Sequence, residues 1–336
     1  MPKVQPDYRA ISLILLVVQT SAGILTLRWS KIRHSTSNHE EYVNSTAVVS
    51  GEALKIAVCF FLVLYQCKWS TGLCIDTLRK ELKLEFFKIG IPAVLYVLQN
   101  NLIYGALTRL DAATYQLTYQ LKILVTALFS VILLGKTLTT LKWLSMFTLF
   151  LGVTFIQTQP EPPKLLLQTQ SHFSIRLMGL VCVLSACCTS GFAGVYFEKL
   201  LKNKEGPSVW VRNIQLALYG FVFGIIGAIF NDGDTIMKKG WFQGYDYLII
   251  IVIILQALGG LVIAAVIKYA DNILKGFANA VSIIISSVFS YWLLQDFVFS
   301  SYFVVGAVLV ILSTYMYGYE PKQPANLKFK KFTTNV

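Results

Sequence analysis

The sequence predicts an all-α integral membrane protein, with about ten transmembrane helices arranged as two inverted five-helix repeats. Three observations carry that expectation. Hydrophobic residues make up 55% of the chain against 14% charged, and the mean hydropathy of +0.62 is too apolar for a soluble chain of this length. Runs of roughly 20 mostly apolar residues, the length a helix needs to cross the hydrocarbon core, recur from end to end. A Pro-rich linker (Pro160, Pro162, Pro163) then divides them into about five spans on each side, an odd number that sets the halves in opposite orientations.

The first run, Tyr8–Leu27, is long, ends in Arg28 and lacks a small-residue cleavage pattern, so it reads as a retained span rather than a signal peptide. Gly, Pro and charge breaks delimit the spans that follow: Asn44–Gln66, Phe86–Leu107, Ala112–Leu134, Leu141–Gln157, Ile175–Phe197, Val209–Phe230, Tyr247–Ile267, Ile273–Leu294 and Tyr302–Tyr319. The expected organisation is a first repeat over 1–158, a lumenal linker over 159–174, a second repeat over 175–320 and a basic cytosolic tail over 321–336. Two turns hint at the repeat: Arg109-Leu110-Asp111-Ala112 joins the third and fourth spans, and Tyr269-Ala270-Asp271-Asn272 joins the eighth and ninth. One side of this map collects about 18 basic residues against about 8 on the other, which predicts that both termini are cytosolic. The first loop, with Arg28, Lys31 and Arg33, runs against that rule.

A net charge of +12 does not indicate nucleic acid, because Lys and Arg are scattered through short loops and the tail (Lys322, Lys328, Lys330, Lys331). The six cysteines, Cys59, Cys67, Cys74, Cys182, Cys187 and Cys188, have neither metal-type nor disulfide-framework spacing and read as free thiols in packing positions. No metal or cofactor is expected. The sequon Asn44-Ser45-Thr46 lies too close to the second span to carry weight as a glycosylation site.

A charge at mid-bilayer costs about 2.5–3.5 kcal/mol on insertion scales, so charged residues inside spans are candidates for function. Glu52 and Lys55 share a face of the second span, and Tyr96, Gln99 and Asn100 a face of the third, with Asn101 beside them. Tyr115, Thr118, Tyr119 and Lys122 form a stripe on the fourth, with Gln116 and Gln120 alongside. Arg212, Asn213 and Gln215 open the seventh, and Lys268, Asp271, Asn272 and Lys275 surround the eighth-to-ninth turn. The bland alternative is that amides tie helices together and Glu52 neutralises Lys55. Against it, Lys55, Lys122 and Lys275 have only Glu52 as an evident intramembrane partner, and cations in a low-dielectric cavity favour an anion. Tyrosines and amides suit a planar, hydrogen-bonding base. The glycines Gly191, Gly194, Gly220, Gly224, Gly227, Gly259 and Gly260 permit close approach of helices or ligand, packing being the expected use for Gly220–Gly227.

The stretches QNNLIYGALTRLDAATYQLTYQLK (Gln99–Lys122), SGFAGVYFEK (Ser190–Lys199), WVRNIQ (Trp210–Gln215) and KYADNILKGF (Lys268–Phe277) resemble signatures of the Golgi nucleotide-sugar transporters of the drug/metabolite transporter superfamily. The resemblance covers nearly the whole chain and is greatest to the branch that carries UDP-N-acetylglucosamine and UDP-galactose, notably over Leu255–Asn272, Leu294–Val298 and Tyr317–Tyr319. It implies a Golgi antiporter, working by alternating access without ATP or an ion gradient, that takes UDP-sugar into the lumen in exchange for UMP. It also implies a substrate site on Lys55, Tyr96, Gln99, Asn100, Tyr115, Thr118, Tyr119, Lys122, Ser190, Gly191, Asn213 and Lys275, with Glu52, Gln215, Lys268 and Asn272 in gating or supporting positions. Implied partners are UDP-sugar, UMP and membrane lipid, with a homodimer or a complex with glycosyltransferases left open. Two departures stand out: Thr108-Arg109 replaces the usual Ser-Asn, and Ala217 replaces the Tyr of the CMP-sialic acid type.

Two other functions compete. A membrane glycosyltransferase has one hook, Asp232-Gly233-Asp234, which reads more simply as an exposed polar loop with no soluble domain around it. A drug or metabolite exporter is open to the fold, but the surplus of lysines disfavours a cationic substrate.

Overall fold

The structure is a computed structural model that describes residues 7–36, 42–83, 85–110, 112–157, 173–203, 205–294 and 299–319. Among them every regular element is helical: α1 (Tyr8–Thr36), α2 (Asn44–Gln66), α3 (Thr71–Lys83), α4 (Phe86–Leu107), α5 (Ala112–Tyr119), α6 (Lys122–Leu134), α7 (Thr140–Gln157), α8 (Phe173–Leu201), α9 (Val209–Lys239), α10 (Tyr247–Tyr269), α11 (Asn272–Phe289) with a π-helical turn over Ser290–Leu294, and α12 (Ser301–Gly318). Ten spans are long and apolar enough to cross a membrane, α5 and α6 together making the fourth. Most of the linker expected over 159–174, the tail over 321–336 and Asp111 lie outside the described residues.

Three details depart from the sequence expectation. The stretch Lys68–Lys83, read as a loop, contains α3: Cys74, Leu78 and Leu82, four residues apart, turn one face onto Val211, Ile214 and Leu218 of α9. The left-handed backbone of Lys68 and Trp69 makes the turn from α2 into it. Second, the fourth span is broken at Gln120 and Leu121 rather than continuous. Third, Asp232-Gly233-Asp234 is not a loop, because α9 runs on to Lys239. Ser45 donates to Asp232 Oδ2 at 2.6 Å, and Lys238 and Lys239 sit where the helix dipole favours cations.

Taking the end where α1 begins as the near end, the helices alternate between near and far. α7 packs along α12, α4 along α8, α2 along α9, and α1 along both α10 and α11; α6 lies on α8, while α2 also meets α10 and α4 meets α9. The α7–α12 seam is a backbone approach: a Cβ on Gly152 would stand 2.9 Å from the amide nitrogen of Val310, and one on Gly306 would stand 2.6 Å from the carbonyl oxygen of Gly152. Large apolar side chains such as Phe87, Phe230 and Trp292 are exposed on the outside, as a lipid-facing surface requires.

Candidate substrate cavity

A cavity of about 710 Å³ opens among α1, α5, α6, α7 and α11. Ile24 and Arg28 contribute from α1, Tyr115, Gln116, Tyr119, Gln120 and Lys122 from the broken span, Ile156 and Gln157 from α7, and Ile283, Ser286 and Ser287 from α11. These residues lie at mid-span or towards the far end, and no carboxylate is among them. The size suits a ligand of drug-like dimensions, since such sites run from about 300 to 1,000 Å³.

The break between α5 and α6 sets the polar constellation. Leu121 donates back to Thr118 and Ile123 to Gln120, tight turns that end one helix and start the next at Lys122. The Cys187 thiol of α8 also reaches the carbonyls of Thr118 and Tyr119, at 3.7 and 3.5 Å. Lys122 thereby stands at a helix start, where backbone N–H groups and the dipole add positive potential to its own charge. Its ammonium sits 4.2 Å from the centroid of the Tyr119 ring, and Tyr119 stacks on Tyr115 with centroids 5.5 Å apart. Gln99 donates to the Tyr119 hydroxyl at 3.0 Å, while its own carbonyl oxygen is buried and unbonded. Ser190 reaches the same hydroxyl. Lys275, one turn into α11, lies within electrostatic reach of Lys122 and also of the Glu198 carboxylate.

The expected site residues thus fall into two sets. Tyr115, Tyr119 and Lys122 line the cavity, Gln99 and Ser190 hold Tyr119, and Lys275 is close enough to share its field. Thr118 is buried beside them and bonds Thr114, and half-buried Tyr96 precedes Gln99 by one turn of α4. The second set is placed elsewhere. Asn100 is exposed; Gly191 packs against Val125 and Thr126 of α6; and Asn213 is buried and donates to Val209 of its own helix. Lys55 is ion-paired with Glu52 at 2.7 Å, and the two line a separate small cavity of about 50 Å³ with Gln256. Gln215 donates to the carbonyls of Glu81 and Leu82 at the end of α3, exposed Lys268 lies 5.7 Å from the Tyr269 ring centroid, and Asn272 packs against Gly194. Arg109 bonds the carbonyl of Gly105 and the hydroxyl of Thr108.

Sequence reasoning missed Glu198, a fully buried acid just past the expected end of the sixth span. Its carboxylate accepts from Lys136 at 2.8 Å, from Lys202 at 2.7 Å and from the backbone N–H of Asn272 at 3.0 Å. Lys136 also meets Asp271 at 3.3 Å, and Lys202 donates to the carbonyl of Ala270. This cluster ties the α6–α7 turn, the end of α8 and the α10–α11 turn together at the near end, opposite the cavity. The only signal in the sequence was an acid inside an otherwise apolar motif, SGFAGVYFEK.

A family model described as "Nucleotide-sugar transporter" matches residues 5–318. UDP-N-acetylglucosamine transporters of Rattus norvegicus and Homo sapiens are each 52% identical, over 326 and 323 residues, covering 95% of this chain and 98% of theirs. The UDP-galactose translocator of Mus musculus is 42% identical over 91% of this chain and 77% of its own. A solved crystal structure, 13% identical, superposes over 91% of this chain and 96% of its own with a TM-score of 0.59, a likeness of fold. With ten apolar spans, a cationic and aromatic cavity between them and a match that runs almost end to end, the chain belongs to the nucleotide-sugar transporter family.

Proposed function

We propose that this protein carries a UDP-sugar, UDP-N-acetylglucosamine or UDP-galactose or both, into the Golgi lumen in exchange for UMP. The observation that carries this reading is the pairing of Lys122 with the Tyr119–Tyr115 stack in a cavity with no carboxylate among its described lining residues. Stacked rings offer a face to a base, the buried carbonyl of Gln99 offers an acceptor, and Lys122 with Lys275 offers charge to phosphates. The names of the relatives supply the sugar. Lys55, expected to share the phosphates, is held by Glu52 here and is assigned no direct contact in this arrangement.

Transport is assigned to alternating access between two inverted repeats, 1–158 and 175–320. Support comes from the helix pairing. Exchange each span with the one five places on: the fifth–tenth and second–seventh pairs map onto themselves, and the third–sixth pair maps onto the eighth–first. The fourth–sixth pair likewise maps onto the ninth–first, and the third–seventh onto the eighth–second. Both termini are placed in the cytosol, which makes the near end cytosolic and the far end lumenal. The structure then corresponds to a state shut on the cytosolic side by the Glu198 cluster, with its cavity towards the lumen. An empty site with uncompensated lysines reorients slowly, and either nucleotide neutralises it, so exchange follows without another energy source. Uptake into liposomes tests the whole: purified protein with UMP inside is expected to accumulate labelled UDP-sugar faster than without UMP. Equal uptake in the two would contradict exchange.

A further inference from the structure

The α5–α6 break that presents Lys122 and Tyr119 to the cavity is met from outside by one face of α8. Cys187, fully buried, places its sulfur 3.7 Å from the carbonyl oxygen of Thr118 and 3.5 Å from that of Tyr119, and the backbone N–H of Lys122 lies within reach of the same sulfur. One thiol therefore faces the last carbonyls of α5 and the first amide of α6, and can donate to one helix while accepting from the other. Ser190, three residues on, reaches the Tyr119 hydroxyl. Gly191, four residues on, lets the helices close: a Cβ there would stand 2.9 Å from Cγ1 of Val125 and 3.2 Å from the amide nitrogen of Thr126. Spacings of three and four put all three residues on one face of α8. That face belongs to the half of the chain beyond the linker, yet it meets the stripe that lines the cavity.

We propose that Cys187 is a positioning residue for the substrate site: hydrogen bonds through its sulfur hold the two helix ends at the break and so set where the Lys122 ammonium and the Tyr119 ring stand. This rests on the function proposed above. Leverage is what makes a thiol at this point matter. Tyr119 is the last residue of α5 and Lys122 the first of α6. A change of angle at the break moves one against the other, and with them the 4.2 Å approach of cation to ring. A misplacement of about 1 Å at a binding group can cost as much as about a hundredfold. The competing role is packing, since a buried free cysteine ordinarily behaves as a small apolar group.

The two roles rank substitutions in opposite order. A serine keeps a donor and an acceptor, whereas an alanine of similar size keeps neither; a packing site instead tolerates the alanine and is harmed by a buried hydroxyl. In proteoliposomes performing UMP–UMP exchange, Cys187→Ala is expected to raise the half-saturating UMP concentration about tenfold while the maximal rate changes less than about twofold, and Cys187→Ser to stay within about threefold of wild type. Should Cys187→Ala fail to accumulate, the isosteric pair Cys187→Thr and Cys187→Val makes the same comparison. Hydrogen exchange of the backbone amides over 118–123 gives a readout that needs no ligand, and it should quicken in Cys187→Ala but not in Cys187→Ser. Affinity kept by Cys187→Ala as well as by Cys187→Ser, or amides over 118–123 equally protected in both, would overturn the positioning role. Wild-type protein that exchanges no UMP would overturn the transport reading instead, and the amide exchange would still decide the role of Cys187.

Discussion

Lys122 lines the cavity and Lys275 lies within electrostatic reach of it, with Glu198 as the acid that Lys275 also feels, so removing either lysine changes what an anion meets there. Lys122→Ala and Lys275→Ala should each lower kcat/KM for UDP-sugar by about 100-fold, the loss expected of a desolvated charge contact, while membrane insertion and melting stay near wild type. Initial rates in proteoliposomes, with melting curves in detergent, check this; near-normal rates would make the lysines structural. Glu85 illustrates a different use of charge at the near-end surface. Hydrogen bonds from Lys88 and then Arg212 hold its carboxyl below the usual glutamate value. Because the folded-state value is depressed, its contribution is complete above the ordinary glutamate range and is lost as pH falls through the lowered value. Glu85→Gln should therefore destabilise the protein at neutral pH and flatten the acid limb of its melting temperature against pH. The lysines were legible in the sequence because an intramembrane cation is conspicuous. Glu198 was not, because an acid at a span end looks like loop charge until folding brings Lys136 and Lys202 to it.

At the scale of elements, the spans could be read because apolar length and charged breaks register directly in composition. What could not be read were the features created by packing: α3, whose apolar face exists only against α9, and the break at Gln120–Leu121, where a thiol from α8 reaches the carbonyls of Thr118 and Tyr119. The α7–α12 seam yields a sharp test. Gly306→Leu places a side chain where a Cβ alone would sit 2.7 Å from the amide nitrogen of Ile156. The helices must part, and the variant should lose several degrees of melting temperature or fail to accumulate, the cost of overpacking being about 1–3 kcal/mol. The near-end cluster gives a second. Glu198→Gln leaves Lys136 and Lys202 without their shared carboxylate, at a cost of about 3–5 kcal/mol for a buried pair. It should lower the melting temperature and, by weakening the closed near end, increase labelling of a cysteine placed at Lys275 by a thiol reagent added from that side. Labelling equal to that in a Glu198 background would count against the gate.

For the whole molecule, the sequence motifs singled out the Tyr115–Lys122 stripe and Gln99, of which Tyr115, Tyr119 and Lys122 line one cavity and Gln99 bonds Tyr119, yet set Lys55, Asn100 and Asn213 beside them as equals. The structure separates these by ion pairing, exposure and self-satisfied hydrogen bonding, relations between helices that a linear pattern does not contain. The same holds for Arg28, an exception to a charge rule in the sequence and part of a cavity wall in the fold. In the function proposed above, cavity, near-end cluster and paired halves serve the exchange of one uridine nucleotide for another. It is tested most directly by counterflow: purified protein in liposomes loaded with UMP, given labelled UDP-N-acetylglucosamine or UDP-galactose outside. Transient accumulation of at least one sugar nucleotide above equilibrium, dependent on internal UMP and blocked by Lys122→Ala, is expected. Failure of internal UMP to drive accumulation of either would contradict it.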